Sequence, residues 1–131
     1  MRTALGVASV LAALLLGSVP ATADDAAEHD YLLHCAGCHR FDGSGSAAVP
    51  ALDQVARYAA SSGGREYLVR VPGIAQAPLS DERLAALLDY VVATFGDGRA
   101  VPSFRGQEVA AFRERPLRDP LGARARLVEP F

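Results

Sequence analysis

Two cysteines spaced by two residues and followed at once by a histidine, Cys35-Ala36-Gly37-Cys38-His39, constrain this chain more than anything else in it. That spacing suits two thiols adding across the two vinyl groups of one haem, with the adjoining imidazole placed to reach the iron. Three other readings of the same residues are weaker. A structural zinc site needs a second, separated pair of ligands, whereas both cysteines and all three histidines (His29, His34, His39) crowd into positions 29–39. A thioredoxin-like redox pair follows a β-strand and starts a helix, and no β-rich run precedes Cys35. A plain disulfide leaves His39 without a part.

The residues before the motif concern address. Arg2 is followed by an apolar run from Ala4 to Leu16, a softer Gly17-Ser18-Val19-Pro20 segment and then Ala21-Thr22-Ala23. This is the three-part pattern of a secretory signal peptide spanning 1–23. The run is short for a membrane span, and Asp24 and Asp25 follow immediately, so no membrane span is expected after cleavage and a periplasmic address is. The 131 residues then allow one domain. All positive charge is arginine, 13 residues against 15 acids. A chain with that balance lacks the basic footprint that nucleic acid demands.

The remaining chain reads as helical. Positions 24–35 carry Ala27, Tyr31, Leu32 and Cys35 at helical spacing behind an acidic start. Residues 39–52, with Gly43, Gly45, serines and Pro50, read as a loop. A brief helix is expected over 53–60, broken by Gly63-Gly64, then either a helical turn or an extended segment at 65–70 and a turn at Pro72-Gly73. The clearest helix covers 80–95: Ser80 caps it, Asp81 and Glu82 fill its first turn, and Gly96 ends it. Its Leu84, Leu87, Leu88, Val91, Val92 and Phe95 form one stripe that must be buried. A short helix over 107–115 precedes an Arg-rich tail.

Together with Tyr31 four residues before Cys35, the Gly43/Gly45 loop and Pro50-Ala51-Leu52, the motif resembles the class I cytochrome c family. The resemblance covers roughly 25–96, and Ala27 stands where the family commonly has glycine. It implies an all-α fold of three to five helices wrapped around one covalently bound haem c, with a haem domain at 24–98 and a C-terminal extension at 99–131 packed on it. It also implies that Tyr31 lies against the 80–95 helix, and that the Pro50 carbonyl holds the His39 imidazole.

The family commonly completes the iron with a methionine in a Pro-Gly-x-x-Met loop. This chain has Pro72-Gly73-Ile74-Ala75-Gln76, and its only methionine is Met1. Lysine is absent too, so the candidates for the sixth position are His29, His34, a tyrosine, water or no ligand, with both histidines on the chain segment supplying the proximal face. Gln76, at the position equivalent to the methionine, is the candidate to line the distal pocket and hydrogen-bond a water or ligand there. Arg65 and Arg70 are candidate partners of the haem propionates. No separated nucleophile, base and orienting acid can be assembled, which argues against hydrolysis. The first functional expectation is electron transfer with a redox partner protein, a dehydrogenase or another cytochrome. The second is binding or transformation of a small ligand such as peroxide, nitric oxide or carbon monoxide at an open iron. A third is a haem-free interaction domain whose arginine-rich tail docks a partner.

Overall fold

The computed structural model describes residues 22–127, which form helices and connecting turns with no β-strand among them. Of the signal peptide expected at 1–23, residues 1–21 lie outside the described residues. Helix α1 (Ala23–His34) begins with a reciprocal cap: Thr22 Oγ1 accepts from the Asp25 amide, and the Asp25 carboxylate accepts from the Thr22 amide. After α2 (Ala36–His39) and a loop come α3 (Val55–Ala59), α4 (Ser62–Arg70), α5 (Pro72–Ala75) and α6 (Asp81–Phe95). The C-terminal part supplies α7 (Gly106–Arg113) and α8 (Pro120–Leu127).

Helix α6 is the spine. Its cap is the predicted one, with Ser80 Oγ accepting from the Arg83 amide, and Leu84, Leu87, Leu88, Val91 and Val92 are buried. Helix α1 crosses it through Ala27 and Tyr31, whose ring lies 4.9 Å from that of Phe95 and 6.0 Å from that of Tyr90. The same crossing holds one buried charge, Asp30, bonded through both carboxylate oxygens to Arg83.

The extension is stitched to the helical core by guanidinium groups. Arg65 bonds Glu108 of α7 and the carbonyls of Pro102 and Ser103. Arg113 bonds the carbonyls of Ala75, Ala77 and Leu79 and the Asp81 carboxylate. Phe104 and Val109 are buried beneath these contacts.

Among the described residues there are eight helical segments where the resemblance implies three to five. Two of the extra ones, α2 and α5, have four residues each, too few for an apolar period to show. Gly63-Gly64 does not break a helix but lies in the first turn of α4, where the Ser61 hydroxyl accepts from the Gly64 amide. Gly64 is required there because a Cβ would overlap the Tyr58 backbone. Pro72 opens α5 rather than an open turn, since proline at a first helical position loses no hydrogen bond.

Candidate haem site

The Cys-x-x-Cys-His run sits where α1 gives way to α2. The Cys35 amide still donates to Tyr31, closing α1, while the Cys38 and His39 amides donate to the Cys35 carbonyl and begin the next turn. This fold-over places a half-buried Cys35, an exposed Cys38 and a half-buried His39 on the wall of one cavity of about 400 Å³. Both thiols are free. The opposite walls are mostly apolar: Leu52 and Val55, Leu68 and Val71 with Ile74, and Leu88 and Val91 of α6.

His39 is held in one orientation. Its Nδ1 lies 3.0 Å from the Pro50 carbonyl oxygen. A carbonyl only accepts, so Nδ1 carries the proton and Nε2 keeps its lone pair. Burial lowers the imidazole pKa, opposed by the Pro50 bond, and the Arg124 charge lowers it further. The ring is thus kept neutral, the form that can bind a metal. Cys35 moves the other way: burial first, then the Asp30 charge, pushes its thiol up to about 11.

The loop presenting Pro50 depends on two glycines at positive φ, Gly43 (+70°) and Gly45 (+68°). The Gly45 amide donates to the His39 carbonyl, tying the loop to the motif, and the Leu52 amide donates to the Gly43 carbonyl, closing the loop on itself. A Cβ at Gly45 would overlap the Val49 and Pro50 backbone, besides carrying a side chain into the left-handed region. Gly45→Ala is expected to destabilise the folded protein by about 1–3 kcal/mol, read as a lower thermal midpoint. The Pro50 contact should loosen with it.

Other site candidates land elsewhere. Gln76 caps the C-terminus of α5, is exposed and is not on the cavity wall. Because Pro72-Gly73-Ile74-Ala75 coils into a helical turn, Ile74 faces the cavity instead. Arg65 is committed to Glu108, and Arg70 to Glu66 and the Arg115 carbonyl, so neither is available to a propionate. His29 is exposed on α1, while His34 borders the cavity. Sequence reasoning missed three wall residues with polar ends: Tyr58, Tyr67 and Arg124. Their spacing carries no signal, because they come from three different helices.

These residues fit a covalently held haem. The cavity is apolar, two free thiols stand at the required spacing, an oriented neutral imidazole sits beside them, and the buried Tyr58 hydroxyl has no hydrogen-bond partner within the protein. Among the described residues no three His, Cys, Asp or Glu side chains gather as a metal-ligand cluster, and no helix is long and apolar enough to cross a membrane.

No protein-family model matches the chain. Individual relatives do. It is 32% identical over 132 aligned positions to a cytochrome c-552 of Thermus thermophilus, covering 83% of this chain and 88% of that protein. Another cytochrome c-552 from the same species is 33% identical over 106 positions, covering 63% of this chain and 81% of its own length. With an all-helical fold and identity extending over most of both sequences, the chain belongs to the c-type cytochromes.

Proposed function

We propose that this protein is exported to the periplasm, carries one haem c through thioethers at Cys35 and Cys38 with His39 on the iron, and passes electrons between a dehydrogenase or another cytochrome and a further acceptor. The observation that carries the reading is the His39 Nδ1 to Pro50 carbonyl bond at the wall of an apolar cavity bearing two free thiols.

When bound, haem supplies a reversible one-electron couple at its iron. The protein's part is to tether, orient and exclude water. Cys35 and Cys38 fix the macrocycle edge, and the Pro50 carbonyl raises the basicity of His39 while aiming Nε2. Leu68, Val71, Leu88 and Val91 lower the local dielectric, which disfavours the more highly charged oxidised state. The leader at 1–23 is the signal, 24–98 the haem domain, and 99–131 an extension packed on it. Cleavage after Ala23 would remove the Thr22 cap of α1, a loss of about 1 kcal/mol, leaving Asp24 and Asp25 to oppose the positive helix end.

The test is the mass of the mature protein secreted from a host equipped for haem maturation. The polypeptide from Asp24 plus one haem is expected; the bare polypeptide mass refutes the reading.

A second reading, an open sixth iron position that admits a small neutral ligand, is favoured by the missing ligand side chains and by what one cavity wall presents. The only methionine is Met1, lysine is absent, Gln76 faces solvent, and the wall segment 68–74 presents Leu68, Val71 and Ile74. None of those three can bind iron. The reduced protein is therefore expected to be high-spin and to change its absorption spectrum under carbon monoxide. A low-spin spectrum indifferent to that gas would dispose of the open site.

A further inference from the structure

One corner of the cavity is polar, and electron transfer alone gives it no purpose. Tyr58 is only 7% exposed, and its hydroxyl is buried without a hydrogen-bond partner. A buried phenol normally finds one. The guanidinium of Arg124, on α8, lies 5.1 Å from the Tyr58 ring centroid and hydrogen-bonds the neutral Gln54 Oε1 at 3.4 Å. Five other arginines, Arg65, Arg70, Arg83, Arg99 and Arg113, make ion pairs with carboxylates, whereas Arg124 makes none among the described residues. Both Tyr58 and Arg124 border the cavity, and Tyr67, with its ring 5.5 Å from that of Tyr58, stands beside them.

An orphaned hydroxyl donor next to a half-buried, carboxylate-free guanidinium is a receptor lacking its anion. We propose that Tyr58 and Arg124 together bind a carboxylate, a propionate of the haem, so that the C-terminal helix supplies part of the cofactor site. The proposal rests on the haem reading above. Guanidinium presents parallel N–H donors that match two carboxylate oxygens, and a phenol adds a third donor at an angle. The same pairing accounts for a carboxylate-free arginine on the cavity wall, whereas Arg65 and Arg70 are already bound elsewhere.

The pairing has an electrostatic consequence. A bare propionate favours the oxidised iron by its negative charge; Arg124 offsets that charge and raises the reduction potential. Methionine on haem iron raises the potential, so without one a lower potential is expected, and Arg124 acts against that lowering.

The test uses full-length, haem-loaded protein with Arg124→Gln, Arg124→Lys and Tyr58→Phe, reading the equilibrium midpoint potential and the propionate bending modes in resonance Raman spectra. Arg124→Gln is expected to lower the midpoint and shift a propionate mode. Arg124→Lys should restore most of the midpoint, because the charge returns, without restoring the mode. Tyr58→Phe should shift the mode alone or nearly so. If Arg124→Gln does not assemble, Tyr58→Phe still decides, since it removes one oxygen and keeps the ring packing. Wild-type midpoint and modes in haem-loaded Arg124→Gln, or wild-type modes in Tyr58→Phe, overturn the proposal while leaving the haem reading intact. A wild-type protein with no haem overturns both.

Discussion

Replacing Cys35 and Cys38 together by alanine is expected to yield a colourless chain that has lost most of its cooperative helical structure. The reason is the size of the space haem is proposed to fill. At about 24 cal/mol per Å³ of unfilled core, a cavity of about 400 Å³ corresponds to roughly 10 kcal/mol. Water entering through the mouth reduces that figure, yet even half of it is comparable with the total stability of a domain this size, about 5–15 kcal/mol. The cavity walls come from α1 to α6 and from α8, so the cost falls on the whole fold. Far-ultraviolet circular dichroism during thermal unfolding reads the effect. A double variant that unfolds with wild-type cooperativity and midpoint would show that the cavity walls support themselves.

The second large effect concerns the crossing of α1 and α6. The Asp30 side chain is 2% exposed and Arg83 is 55% exposed, so the partners are unequal. Arg83→Ala would strand a buried carboxylate and is expected to cost about 3 kcal/mol, a drop in thermal midpoint on the order of 10 °C. Asp30→Asn should cost far less, about 1 kcal/mol, because the amide oxygen still accepts from Arg83 and the remaining cation reaches water. Unfolding of both haem-loaded variants in denaturant checks the order. Equal losses would mean that the pair acts only through its attraction and not through the burial of Asp30.

Much of this architecture is legible in the sequence where a rule acts locally and repeatedly. Helix α6 is readable because fifteen residues show the apolar stripe, the Ser80 cap and the Gly96 stop at once. The motif and the juxtaposition of His39 with Pro50 are legible for another reason: the Cys-x-x-Cys-His spacing marks the first, and the family resemblance implies the second. What escapes is whatever depends on residues far apart in the chain. Gly63-Gly64 has the composition of a break, but the close approach of α4 to Tyr58 calls for glycine inside the helix. Gln76 occupies the right sequence position for a distal group, yet one helical turn at α5 sends it to solvent. Helix α8 has no strong apolar period and no buried residue, so nothing local marks it as a cavity wall.

The residues around the cavity run from Tyr31 to Arg124. Nearly the entire polypeptide must therefore have been made before its binding chamber exists. A chain whose motif has emerged without its C-terminal part offers a bare peptide, and enclosure awaits α8. Acquiring the prosthetic group and reaching the native topology are thus coupled steps, with the slowest contacts those that span the greatest separation along the chain.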